Sequence, residues 1–177
     1  MSAKSPALEP EAQLFVNVRT EVLRVEEDCI HSSKSHFNAA ERWSTYIFFL
    51  GVPSIVLSVL AGTAFLRDYP GLAGLMSGIA AVLTALITFL KPAERAAAHK
   101  AAGDQYLRLR NECRVFREIK LSHNQNMTAA ITSMGELTAR RDDLNQNSPQ
   151  FSDQDRRLAR KGIEEGEATH IVDKGNK

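Results

Sequence analysis

The sequence predicts an all-α membrane protein, a two-transmembrane helical hairpin with long cytoplasmic helices forming a bundle. Three observations carry that prediction. Two uncharged apolar runs lie almost back to back, basic residues crowd the outer ends of both runs, and the remaining chain shows apolar residues at spacings of three and four with no useful period-two pattern. Whole-chain averages hide this organisation. With 22 Lys and Arg against 21 Asp and Glu the net charge is +1, the balance of a mild soluble protein, because the apolar runs are averaged with strongly charged flanks.

Residues 1–9, MSAKSPALE, form a disordered N-terminus without the apolar stretch of a cleavable signal. Residues 10–42 read as a cytoplasmic amphipathic helix starting at Pro10, a residue tolerated in a first turn. Leu14, Val18, Val22, Val25 and Cys29 mark its apolar face, and Ser32 and Ser33 mark a place for a bend. Residues 43–66 are the first transmembrane helix. About 24 uncharged residues at ~1.5 Å rise give ~36 Å of helix against ~30 Å of hydrocarbon. Its twelve Leu, Ile, Val and Phe residues favour insertion by roughly 4–7 kcal/mol before polar groups are counted. A short extracytoplasmic turn falls at 67–71. The second transmembrane helix, 69–90, substitutes Gly and Ala for bulk and is the weaker of the two by roughly 1–2 kcal/mol on the same scale.

Arg19, Arg24, Lys34 and Arg42 precede the first run, and Lys91, Arg95, Lys100, Arg108 and Arg110 follow the second, whereas the turn holds only Arg67 and Asp68. The positive-inside tendency therefore places both termini in the cytoplasm. Trp43, Tyr46 and Tyr69 sit where aromatic anchors meet the interface. Residues 91–168 form a cytoplasmic helical region. One helix starts at Pro92, with Leu107, Cys113 and Phe116 on its apolar face, broadened by Tyr106, Leu109 and Ile119. The polar break SHNQN follows, then a helix from about Met127 to Leu144, and a last short helix after a Ser152 cap. Residues 169–177 are a frayed tail.

No catalytic constellation, cofactor motif or metal-ligand spacing emerges. His31, His36, His99, His123 and His170 are scattered, and His99 reads as a helix-surface residue near the membrane boundary. Cys29 and Cys113 are lone thiols on the cytoplasmic side, read as packing residues. The spans do carry a pattern. Ser54, Ser58 and Gly62 recur every four residues in the first, and Gly74, Gly78, Ala81 and Ala85 follow GxxxG-type spacing in the second. Small residues so placed let backbones approach closely, within one hairpin or between subunits of an oligomer. Two spans cannot enclose a channel, so any ion path needs several chains, lined by Ser54, Ser58, Thr63, Thr84 and Thr88. Arg108, Arg110, Arg114, Arg117 and Lys120 are interleaved with acids and lack an aromatic platform, which disfavours direct nucleic-acid binding.

The runs HFNAAERWSTYIFFLGVPSIVLSVLAGTAF and LKPAERAAAHKAAGDQYLRLRNECRVFREI, followed by LTARRDDLNQNSP and ARKGIEEGE, give the chain a resemblance reaching from about residue 30 to 167. It resembles the SLATT family, two-transmembrane effector domains associated with bacterial nucleotide-second-messenger and reverse-transcriptase defence systems. The positions that carry the likeness are Arg42, Trp43, Gly51, Pro53, Ser58, Gly62, Phe89, Lys91, His99 and Tyr106. The resemblance implies an inner-membrane antiphage effector that forms pores and halts the infected cell. It also implies lipid-bilayer contact, a homo-oligomer, and a partner that is a nucleotide-generating polymerase, a nucleotide sensor or a reverse transcriptase. The chain departs from larger effectors in lacking a separate ligand-binding domain. The alternative is a non-conducting membrane adaptor that recruits or regulates a defence enzyme.

Overall fold

The computed structural model describes residues 10–63, 68–123 and 126–169. The N-terminal stretch 1–9, residues 64–67 at the end of the first apolar run and in the turn, and the tail beyond 169 lie outside the described residues. Five main helices follow in order: α1 Pro10–Ala61, α2 Pro70–Leu90, α3 Pro92–Val115, α4 Met127–Asn147 and α5 Asp153–Glu164. No strand occurs among the described residues. The chain divides into two compact units, one made of residues 1–36 and 101–177, the other of residues 37–100. The division falls beyond the ends of the apolar runs on both sides.

In the first unit, Val18, Val22, Val25 and Cys29 of α1 join Tyr106, Leu109 and Cys113 of α3 and Ala130 and Leu144 of α4 in one buried core, with Phe116 and Leu121 completing it. The α1 face is the one that the spacing of three and four predicts, except that Leu14 at its start is exposed. On α3 the expected face is too broad. Leu107 and Ile119 are exposed, while Leu121 is buried. The cause is a π-helical turn at Phe116–Lys120. The wider turn places the next buried position five residues after Phe116, at Leu121, where a 3.6-residue period would place it three or four residues on, so Ile119 turns outward.

Local chemistry sets the remaining boundaries. Asn126 caps α4 by accepting from the Ala129 N–H, and Ser152 and Asp155 form a reciprocal capping box at the start of α5. Ion pairs then tie the helices of this unit: Arg117 to Glu26 at 3.2 Å, Arg141 to Asp28 at 2.9 Å, Lys34 to Glu167 and Arg140 to Glu112.

In the second unit α1 continues without interruption through the first apolar run to Ala61, short of the expected end at residue 66, and Gly62 and Thr63 follow as a turn. Pro53 lies inside this helix, where its missing N–H leaves the Phe49 carbonyl without its usual donor. Pro70 opens α2 as a first-turn proline, so this helix starts inside the stretch 67–71 expected as turn. At the other end Lys91 adopts a left-handed conformation, φ 47°, its N–H bonded to the Ile87 carbonyl at 3.0 Å, and Pro92 starts α3. A left-handed residue followed by proline stops α2 at Leu90 and lets α3 start at Pro92.

Candidate functional site

Both apolar helices are long enough to cross a membrane, and only 6% of the apolar window in each is buried. A core helix of a soluble protein would be mostly buried. Here Phe48, Phe49, Ile55, Val59, Leu75, Val82 and Phe89 all stand exposed, an apolar surface far beyond single scattered residues. At the N-terminal end of the first run, the Trp43 ring centre lies 5.3 Å from the Arg42 guanidinium and 4.8 Å from that of Arg95, with the Tyr46 ring edge-on at 5.4 Å. This aromatic and cationic cluster has the composition of a membrane-interface anchor.

Between the two apolar helices the contact is polar. The buried Ser54 hydroxyl of α1 lies 2.8 Å from the Thr84 hydroxyl and 3.2 Å from the Ala80 carbonyl of α2, and Thr84 lies 2.9 Å from the same carbonyl. Two hydroxyl protons serve three contacts. Either Thr84 donates to Ala80 and Ser54 to Thr84, or Ser54 donates to Ala80 and Thr84 to Ser54. Each arrangement uses both protons, so no donor is stranded in an apolar medium. Ser58 donates back to the Ser54 carbonyl at 2.8 Å and Thr88 to the Thr84 carbonyl at 3.0 Å.

Beside this contact runs an open groove of about 980 Å³, lined by Ser58, Ala61, Gly62, Ser77, Ala80, Ala81, Thr84, Ala85, Thr88 and Phe89. No ionisable side chain lines it. Of the positions expected to associate helices, Ser58, Gly62, Ala81 and Ala85 come together here and Ser54 makes the neighbouring contact. Gly74 and Gly78 stand clear of the groove, and a Cβ built on either meets nothing within 4 Å. Of the expected polar lining, Ser58, Thr84 and Thr88 are present, whereas Thr63 is exposed and bonds to the Leu60 carbonyl at 2.7 Å. Sequence reasoning missed Ser77. Its signal is the series Ser77, Ala81, Thr84, Thr88, spaced four, three and four along one helix face.

The other family-like positions scatter by role. Gly51 and Pro53 lie within α1, Phe89 projects outward with 83% of its surface exposed, and Lys91 forms the left-handed stop. His99 corrects an expectation. It is 3% exposed rather than on the helix surface. The reason is register: Pro92, Ala96 and His99 are all buried and recur at four and three along α3.

Tyr106 and both cysteines belong to the core of the first unit. Burial pushes the Cys29 thiol up to about 12, with the neighbouring Cys113 contributing next, and burial with the Glu26 charge pushes Cys113 up to about 11. Both stay protonated at neutral pH and act as small apolar packing groups. Burial likewise raises the Tyr106 phenol, whose hydroxyl donates to Asn145 Oδ1 at 2.8 Å.

No family model matches this sequence, and neither a curated protein nor a solved structure does.

Proposed function

We propose that this chain is a two-span membrane effector of a bacterial antiphage defence system, which self-associates in the inner membrane and opens a pore that disrupts it. The two apolar helices form a transmembrane hairpin, both termini lie in the cytoplasm beside the basic flanks, and the first unit is a cytoplasmic helical bundle. The groove is the observation that carries the reading. An uncharged cleft rich in hydroxyls, opening sideways from a pair of exposed apolar helices, is a surface that a neighbouring hairpin can complete, and its Ser58, Ser77, Thr84 and Thr88 hydroxyls offer water a polar wall. The defence role rests on the resemblance to SLATT effectors, as does a partner that makes or senses nucleotides or is a reverse transcriptase.

Gly78 supplies the test. A side chain there meets nothing in the monomer, so Gly78→Ile leaves the hairpin intact and obstructs only close approach of another helix. In bacteria expressing the chain, a voltage-sensitive dye should report depolarisation by the wild type and its loss with Gly78→Ile at equal membrane insertion. Equal depolarisation by both would remove this glycine face from the assembly. An intact potential with confirmed insertion would favour the membrane adaptor, a reading that the first unit's own core supports, since that core gives a partner a folded surface independent of the spans.

A further inference from the structure

The first unit holds a second cavity that plays no part in the proposed pore. It is a pocket of about 450 Å³ between α1, α4 and α5, within the range of small-molecule sites. On one side α1 presents His31, Ser32 and Ser35, with Asp28 one turn before them. Opposite, α5 presents Arg156 and Arg160, four residues apart on one helix face. Asn145 and Phe151 complete the lining, and Phe151 is its one apolar member among the described residues.

Two arginines and one acid line this pocket. The Asp28 carboxylate is already engaged by Arg141 at 2.9 Å. Arg156 meets Asp153 only at 3.9 Å, and no ion pair to Arg160 occurs among the described residues. Two guanidinium groups therefore line a cavity whose one acid already contacts Arg141, a guanidinium that Asp142 shares at 2.8 Å, beside a serine hydroxyl and an imidazole ring that add hydrogen-bonding capacity.

The walls are also held in place. Phe151 packs edge-on against the buried His36 ring at 4.9 Å, and His36 stacks on Tyr106 at 5.5 Å. The Tyr106 hydroxyl in turn holds Asn145 at 2.8 Å. Ser35 donates to the His31 carbonyl at 2.8 Å, and the capping box at Ser152 and Asp155 fixes the start of α5 just before Arg156. On the side of Phe151 that Arg156 covers, the guanidinium lies 5.5 Å from the ring centre. A preformed cavity with paired guanidiniums and an aromatic wall is suited to a planar fork-shaped contact with an oxyanion, together with apolar contact to whatever that anion is attached to.

We propose that this pocket binds a small organic phosphate, its phosphoryl oxygens held by Arg156 and Arg160 and its organic body resting against Phe151. The dianionic charge of a phosphomonoester matches two guanidiniums better than a single carboxylate does. The volume exceeds what a bare phosphate fills, which leaves room for the body. The assignment is independent of whether the spans conduct, and its test reads binding without any membrane current.

The experiment is calorimetric titration of the full chain in detergent with inorganic phosphate, glycerol 3-phosphate and adenosine 5′-monophosphate. At least one ester should bind saturably and about tenfold more tightly than inorganic phosphate. Arg160→Gln, on an exposed side chain whose loss spares the core, should weaken binding about tenfold, and Arg160→Lys by less, because the charge remains while the fork is lost. Arg157→Gln, outside the pocket, should leave binding unchanged. Phe151→Leu should reduce the advantage of an ester over inorganic phosphate. Preference for adenosine monophosphate would identify a ring-bearing ligand, and preference for glycerol 3-phosphate a ligand of lipid-headgroup type. Absence of binding by all three up to about 10 mM would overturn the proposal. So would affinity indifferent to Arg160→Gln in a variant whose helical circular dichroism matches the wild type.

Discussion

The single helix α1 runs through two units that bury opposite kinds of side chain. Up to His36 it buries Val18, Val22, Val25 and Cys29 and leaves charges outside; beyond Trp43 it exposes Phe48, Phe49, Ile55 and Val59 and buries Ser54. One helical geometry serves both, so the difference lies in the surroundings for which each stretch is built. Water rewards burial of apolar groups, which is why the first unit has an apolar stripe. Between helices in lipid there would be no such reward, and a contact there would be left to small residues and hydroxyls, the groups that Ser54, Ala80 and Thr84 bring together.

The largest expected effect would break that contrast if it failed. Leu109 is 0% exposed in the first unit's core, and Leu75 on α2 is 61% exposed. Leu109→Ala should destabilise the first unit by about 3 kcal/mol, through lost burial and the cavity left behind. Leu75→Ala should change stability in detergent by less than about 0.5 kcal/mol. Thermal unfolding followed by circular dichroism reads both. Similar costs at the two positions would mean that α2 is packed in a core after all.

A second prediction concerns the first unit alone. The Cys29 thiol is raised from 9.0 to about 12 by burial, so between those values the unfolded chain loses a proton that the folded chain keeps. Stability is then fully present below pH 9 and falls as pH rises, by up to about 1.4 kcal/mol per pH unit for this group. Cys29→Ala should flatten the stability profile between pH 9 and 11 relative to the wild type, as read by chemical denaturation. An unchanged slope would mean that other groups set the alkaline limit.

The sequence made some of this organisation legible and hid the rest for identifiable reasons. Pro10, Pro92, the polar break before Met127 and the Ser152 cap each have a local chemical cause, and they mark helix starts that the structure shares. Cys29 and Cys113 fell on apolar stripes and are buried. Ile119 and Leu121 exchanged places because a π-helical turn inserts a residue that no 3.6-residue period anticipates. His99 was hidden because a polar residue on a stripe with Pro92 and Ala96 does not look apolar. The groove was half visible. Hydroxyls and small residues at spacings of three and four were apparent, but which of them meet depends on the rotation of α2 about its axis, and that rotation brings Ala81 and Ala85 to the groove while leaving Gly74 and Gly78 outside it. The phosphate pocket was not visible, since it joins His31 and Ser32 to residues more than a hundred positions away.

The smallest effect sharpens the comparison at the hydroxyl contact. Thr84→Val keeps the shape of the side chain and removes one proton and one oxygen from the set shared with Ser54 and Ala80. Losing a partner in an apolar medium would be costly if Ser54 were left without an acceptor. It is not, because the Ala80 carbonyl stands 3.2 Å from Ser54 and takes its proton directly. The expected cost is therefore only about 0.6 kcal/mol, the scale of a hydrogen bond between membrane helices. Ser54→Ala should cost a similar amount, since Thr84 still donates to Ala80. The double variant should cost little more than either single one, because each single substitution already removes the interhelical hydroxyl pair. Unfolding of the three variants in detergent, run as a double-mutant cycle, measures that coupling. Strictly additive costs would mean that the two hydroxyls act separately rather than as a pair.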